Sequence, residues 1–471
     1  MMLLKEKKKK IRYLITFTFG FLFFTNPVEA IEKNKLTIED IYQLVDQQYP
    51  QINITKKERI IANSKLLASQ GAFDTVFNAK SETRPIGYYN NGWLDFYIEQ
   101  PTTLWGATFF SGWRLGLGKF ASYEGKPETN SLGEFRTGFE IPLLKDGFTD
   151  RRRTNIVQGE LKQIEADLKL IRKILDSRQE ASSKYWKWVS SAKNYTVLKN
   201  ILNIAIIRDK NLQDTAKLGN ISPIEVIENK RLIYQRQASL IAAERNLEQS
   251  ANELSIYLRD NQGNPYIPDL EQIPDKIDFS IKKDNFETSL EKAFKNNPDL
   301  KIIENNLESM KTELDYLYNQ RLPDINIAMA ISQDLGQGSE TRRPFVFDAG
   351  LRIKAPLWMR SAEGKINEQK AIIEQNELQN NFIKDQIKIE VKNIHIGLNT
   401  SYRQIQLAKQ ELELSIKLEE SEKEKFKLGD SNILFINIRE QATADSKIRE
   451  FNAIVNYNQF LADYKTILSE Y

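Results

Sequence analysis

Apolar residues recur at heptad spacing through a long, charged stretch that begins near residue 149. They step by 4, 3, 4, 3 and 4 positions, the seam of a coiled coil, at Val157, Leu161, Ile164, Leu168, Ile171 and Leu175. We predict one helix over 149–216 and a matching helix over 361–427. At 1.5 Å per residue, a helix of about 67 residues is about 100 Å long. The pattern therefore predicts an elongated, mostly α-helical molecule.

Two other stretches alternate apolar and charged residues with a period of two, which predicts β-strands. The first is WLDFYIEQ at 93–100, in which the apolar positions 94, 96 and 98 oppose Asp95 and Glu99. The second is FVFDAGLRIKAP at 345–356, whose apolar positions oppose Asp348, Arg352 and Lys354. An apolar outer face around a charged interior is typical of a membrane β-barrel wall. Half-buried strands of a soluble sheet show the same period.

Aromatic residues are concentrated in the same part of the chain. Residues 72–142 hold fifteen Phe, Trp or Tyr, and Trp93, Trp105 and Trp113 lie near predicted strand ends. Trp358 follows the last predicted strand. Membrane barrels carry such residues in girdles at the lipid–water interfaces. The four tryptophans are therefore predicted to form a barrel girdle.

The chain also matches itself, which predicts a tandem repeat. VDQQYPQI around Pro50 resembles AFKNNPDL around Pro298, SQGAFDTVF at 69–77 resembles NQRLPDINI at 319–327, and FEIPLL at 139–144 resembles RIKAPLW at 352–358. KLGNIS at 217–222 resembles KLGDSN at 427–432. We predict a first repeat over 31–260, a linker over 261–285 and a second repeat over 286–471.

Each repeat has the same predicted order of elements. It begins with a helix, over 38–70 or 286–320, followed by a strand region at about 72–142 or 323–356. A long helix, a tip turn and a returning helix complete it. The first half holds about 34 additional residues, which predict one more hairpin with strands at 93–100 and 104–117.

The two tip turns carry the signals that end one helix and begin another. Gly219 and Gly429 suit the left-handed position just past a helix. Ser222 is then predicted as the N-cap of the returning helix, with Pro223 at its first position and Glu225 completing a capping box. Asp430 or Ser431 is predicted to cap the second returning helix.

The first thirty residues read as a signal peptide, with a basic KEKKKKIR, an apolar YLITFTFGFLFF and NPVEA before a cut after Ala30. A membrane anchor is the alternative, although the apolar run is shorter than the ~20 residues a spanning helix needs. The segment holds six Lys/Arg and two Asp/Glu, which leaves 61 basic and 62 acidic residues. No later stretch is apolar enough for a spanning helix, so a membrane crossing would use strands.

Motifs of catalysis and of nucleic-acid binding are missing from the sequence. There is no cysteine, no basic run interleaved with aromatics, and a single histidine, His395, which we expect to be packed or solvated within a helix. The sequence contains no nucleophile elbow, P-loop or zinc-protease motif. Glu225 and Glu228 form a carboxylate pair, but such pairs are common on solvated helices. We therefore predict no enzyme activity, no cofactor and no nucleic-acid partner.

Taken in order, the two LG tips, the Pro residues that open the first helix of each half, and the PLL and PLW steps resemble the TolC-like outer-membrane efflux protein family over about 36–470. The resemblance implies a homotrimer in the outer membrane of a Gram-negative bacterium. A β-barrel in lipid would continue as a long α-helical, coiled-coil barrel across the periplasm. The chain would be the passive exit duct for a periplasmic adaptor and an inner-membrane pump of the RND or ABC class.

The resemblance also implies roles for particular residues. The tips would dock the adaptor, through Leu218, Gly219, Asn220, Leu428, Gly429 and Asp430. In relatives, acidic residues six and nine positions after the second tip glycine line the constriction; here these positions are Phe435 and Ile438, while Glu225 and Glu228 occupy them in the first half. Glu225, Glu228 and Phe435 are thus the candidate gate.

Two alternatives remain at this stage. With the additional hairpin a trimer would have eighteen barrel strands, whereas the family usually has twelve. The second alternative concerns function: instead of a channel, the chain would be an elongated periplasmic or surface coiled-coil scaffold or binding protein without a pore.

Overall fold

A computed structural model describes residues 35–121, 127–219, 221–260, 262–274 and 285–470. The predicted signal peptide at 1–30, tip residue Asn220 and much of the predicted linker lie outside these ranges. In the described ranges, no helix is both long enough and apolar enough to cross a membrane.

Eight helices and six strands are described, and the same order of elements occurs twice. The first set is α1 Ile38–Gln48, α2 Pro50–Gln70, β1 Val76–Arg84, β2 Asn91–Pro101, β3 Thr108–Gly118, β4 Glu134–Pro142, α3 Arg151–Lys217 and α4 Pro223–Ser255. The second set is α5 Phe286–Asn296, α6 Pro298–Gln320, β5 Asp324–Asp334, β6 Val346–Lys354, α7 Arg360–Lys427 and α8 Ile433–Ile467. Helices α3 and α7, with 67 and 68 residues, are the predicted rods.

The first helix of each half is broken at its proline, contrary to the single helices expected over 38–70 and 286–320. Tyr49 and Asn297 have ψ of 121° and 122°, outside the helical region, and Pro50 and Pro298 begin α2 and α6. Proline disfavours the helical conformation of the residue before it and lacks the N–H that a continuing helix would need. The prolines therefore open the second helix of each half, not the first.

The six strands form one antiparallel sheet in the order β1-β2-β3-β4-β5-β6. The additional hairpin is part of this sheet as β2 and β3, with Phe96 opposite Trp113. β4 then pairs with β5, so the sheet joins the two halves of the chain. β1 and β6 are its edge strands, and helices α2, α3, α6 and α7 all connect to the same end of the sheet.

Two clusters of buried apolar side chains stabilise the helices, one around α3 and the other around α7. Tyr185 and Trp188 of α3 lie in the first, where the Tyr185 hydroxyl donates to the Leu36 carbonyl over 2.9 Å. His395 of α7 lies beside the second, 5.7 Å from the Tyr464 ring, with Nε2 3.1 Å from Ser289 Oγ. The histidine is therefore a packed helix residue, as expected.

Candidate functional site

The sheet has one apolar face. Phe77, Phe96 and Trp113 lie on it as a row of parallel rings, with centroids 6.3 and 6.1 Å apart. Phe135 continues the row, because it is opposite Trp113 in the register. Cross-strand aromatic pairs stabilise such a face. Phe77 remains largely exposed and Phe135 half-exposed.

The other face is charged and holds its charges in close pairs. Asp95, only 6% exposed, accepts two hydrogen bonds from Arg136, at 2.8 and 2.6 Å, and lies 3.8 Å from Arg114. Further along the face Arg352 and Glu140 are 2.7 Å apart. A sheet with one apolar and one charged face is what the alternation predicted.

The four predicted girdle tryptophans occupy different environments. Trp113 lies on the apolar face and donates from Nε1 to the Leu132 carbonyl over 2.8 Å. Trp105, in the β2–β3 turn, contacts Phe148 at 4.6 Å, and Trp358 is exposed just after β6. Trp93, however, is opposite Gly116 and shares the charged face with Asp95, because positions two apart on a strand point the same way. A girdle that faces lipid therefore does not include Trp93.

At the far ends of the rods, α3–α4 and α7–α8 form two helical hairpins with tips of the same geometry. Gly219 and Gly429 have φ of +76° and +84°, the left-handed region that only glycine adopts without strain. At the second tip, Gly429 N–H donates to Phe426 and Asp430 N–H to Lys425, the Schellman pattern. Leu218 and Leu428 are 75% and 77% exposed. Each tip thus presents an uncovered leucine beside a left-handed glycine turn.

The helices that return from these tips are capped differently from the prediction. Asn432, rather than Asp430 or Ser431, caps α8, accepting from Leu434 N and Phe435 N. Ser222 is the N-cap of α4 by position and Pro223 is first in the helix, but the Ser222 side chain accepts no cap hydrogen bond. The capping box with Glu225 is therefore absent. Proline at the first helical position has no N–H that needs a partner.

The candidate gate residues follow these caps. Glu228 is paired with Arg231 at 2.6 Å, and this hydrogen bond holds the pKa of the Glu228 carboxyl below its usual value. Phe435 and Ile438 are 50% and 49% exposed, so the chain itself leaves half of each apolar side chain uncovered. Glu225 lies in a cleft of about 1350 Å³ between the tips, which Phe426, Gly429 and Ile436 also line.

A buried ion cluster ties the two hairpins together behind the tips. Glu440 of α8, 1% exposed, is bound by Arg208 of α3 and by Arg236 of α4, the latter at 3.2 Å. Arg208 also donates to Asn437 Oδ1 over 2.6 Å. Burial lowers the pKa of the Arg236 guanidinium, and the charge of Glu440 opposes that effect. One carboxylate thus holds two guanidinium groups from two other helices.

Sequence reasoning did not identify this cluster. Arg208 and Arg236 lie 232 and 204 positions before Glu440 in the sequence, too far for any local pattern to connect them. The available signal was a charge within an apolar stripe, because Glu440 lies in register with the buried Ile433, Ile436 and Ala444. The same signal marks Arg236, which follows Leu232 on the buried face of α4.

The same fold occurs in solved structures of outer membrane proteins. Vibrio cholerae outer membrane protein VceC matches with a TM-score of 0.66 and 12% identity, over 92% of this chain and 95% of that one. The Campylobacter jejuni CmeC outer membrane channel matches at 0.65 and 12%, over 92% and 85%. The Neisseria gonorrhoeae MtrE outer membrane channel matches at 0.65 and 11%, over 92% and 88%. No family model and no curated protein sequence matches the chain.

Proposed function

We propose that this chain is a subunit of a TolC-like outer-membrane channel, the exit duct of a tripartite efflux or secretion system. The observation that carries the proposal is the joining of a sheet with apolar and charged faces to helical rods of 67 and 68 residues. The likeness to outer membrane channels over 92% of the chain supports it. The sheet would lie in the outer membrane and the rods in the periplasm.

The open edges of the sheet support assembly of several chains, and we propose a trimer. Lipid cannot satisfy the open backbone groups of β1 and β6, and six strands are fewer than the eight of the smallest membrane barrels. Three chains paired edge to edge would close an eighteen-stranded barrel. The half-exposed seam residues Val157, Ile164 and Ile171 of α3 support assembly of the rods as well.

Transport through this channel would be passive, and the energy would come from the pump. An adaptor would dock at the two tips, where the left-handed glycines and exposed leucines lie. The half-exposed Phe435 supports an apolar constriction in the second half, since apolar rings close a pore by excluding water. The barrel interior would be the charged face of the sheet.

Fractionation and conductance test the proposal together. We expect the protein to leave the outer membrane only with detergent, to run as a trimer without heating, and to conduct in planar bilayers without nucleotide or metal. A product that is soluble without detergent and forms no pores would instead support the coiled-coil scaffold.

A further inference from the structure

Residues 127–130, which lie ahead of β4 in the chain, cover part of the charged face of the sheet. Gly116 belongs to that face, because it is opposite Trp93. A Cβ atom on Gly116 would lie 2.1 Å from the Pro127 carbonyl oxygen and 3.1 Å from the Glu128 Cα. The main chain of Pro127 and Glu128 therefore covers β3 on its charged side, and only a glycine leaves room for it.

Polar contacts hold this returning segment against the strands. The β3–β4 pairing ends at Arg114, so Gly116 of β3 has no residue of β4 opposite it. Its N–H donates instead to Thr129 Oγ1 over 2.9 Å. Asn130 N–H donates to Asp334 Oδ1 over 2.9 Å, and Asp334 is opposite Glu134 on the charged face. Asn130 is 2% exposed. Residues 127–130 are thus packed on the sheet and span its third to fifth strands.

The same segment is joined to the loop between β5 and β6. Ser131 N–H donates to the Gln337 carbonyl over 2.9 Å, and Leu132 N–H donates to the Leu335 carbonyl over 3.0 Å. Arg342 of that loop is 2.6 Å from Glu128. Two loops at the end of the sheet far from the rods therefore form one unit, closed by an ion pair.

We infer that residues 127–130 form a constriction in the lumen at the outer mouth of the barrel, and that the Glu128–Arg342 pair sets its width. The inference rests on the proposed function, because the charged face is the lumen only if the sheet closes into a barrel. Backbone that crosses the lumen side of a wall narrows the pore at that height, and charges on it act on passing ions at close range. The segment lies in the loop that follows the additional hairpin of the first half, and the second half has no counterpart of that hairpin.

The chain contains no cysteine, which allows a single thiol to report on each side of the wall. E128C places it on the segment, and L117C places it one residue from Gly116 on the opposite, apolar face. A negatively charged methanethiosulfonate reagent is added to the outer side of trimers conducting in a planar bilayer. We expect loss of current through E128C and unchanged current through L117C, whether or not the reagent reaches position 117.

An unchanged current through E128C, with or without labelling of the thiol by mass, overturns the inference. Equal loss in both variants overturns it too, because position 117 points away from the lumen. Wild-type trimers that form no pore would instead contradict the proposed function itself. The two failures are therefore distinguishable in one set of recordings.

A second pair of variants tests the ion pair. R342Q removes the partner of Glu128, whereas R343Q alters the adjacent arginine, whose contact to Glu340 is exposed and 3.8 Å long. We expect R342Q to raise the single-channel current above that of wild type and R343Q to leave it unchanged. Wild-type current from R342Q would contradict the role of the pair.

Discussion

The two hairpin tips share a backbone but differ in chemistry. Both turn at a glycine with φ near +80° and expose the preceding leucine. Six residues after the glycine, however, the first tip has Glu225 in a cleft and the second has the half-exposed ring of Phe435. The turn is dictated by a backbone geometry that favours glycine, whereas the residues six positions after it differ between the two tips. The comparison separates the backbone that the turn requires from the side chains through which the tips would dock an adaptor and close the pore.

The largest effect is expected from the turn glycines. G219V or G429V should abolish transport that depends on an adaptor, because a bulky side chain in the left-handed turn distorts the docking surface. Trimers should persist, since a Cβ at either glycine meets no described atom within 4 Å. Transport assays in cells, with trimer bands from the same cells, measure both.

Gly263 provides the matched control. It has φ of +85° and no described atom within 4 Å of an added Cβ, but it follows α4 at the end away from the tips. G263V imposes the same backbone strain and should leave transport intact. Equal transport by all three variants would remove the docking role from the tips.

The next effect concerns Glu440, which links the tips through Arg208 and Arg236. E440A leaves the buried guanidinium of Arg236 and the partly buried guanidinium of Arg208 without their carboxylate, which should cost about 3–5 kcal/mol of stability. E228A removes an exposed pair with Arg231, so its effect on stability should be much smaller. Thermal loss of the helical circular dichroism signal in detergent measures the difference. Similar melting of both variants would show that the buried cluster contributes no more than a surface pair.

These two cases show how much of the site the sequence predicts. The glycine turns were predictable because a helix end followed by Gly has few alternatives in backbone conformation. The Glu440 cluster was not, because its arginines come from two other helices and become partners only after the rods pack. Trp93 was misplaced in the girdle for a simpler reason: proximity to a strand end was weighed, and the face set by its position beside Leu94 was not.

A smaller effect tests which tip closes the channel. F435A and F435D should give larger or more frequent openings in single-channel recordings, most of all the charged variant. Alanine removes the volume of the ring, and aspartate also attracts water into the proposed apolar constriction. E225A is the matched change at the first tip. Openings that increase only in E225A would assign the gate to the carboxylates of the first half.

The smallest effect comes from the helix caps, where the two tips differ by a single side-chain interaction. Asn432 accepts hydrogen bonds from Leu434 N and Phe435 N, at 3.1 and 3.2 Å, so N432A leaves two donors of α8 to water. Loss of such a cap typically costs about 1 kcal/mol. Ser222 occupies the same position before α4 without a cap bond, and S222A should therefore change stability by a few tenths of a kcal/mol at most. Hydrogen exchange at the first turns of α4 and α8 measures each helix end separately. Faster exchange at α8 in N432A, with α4 unchanged in S222A, would confirm that only the second tip depends on its cap; equal changes at both would contradict it.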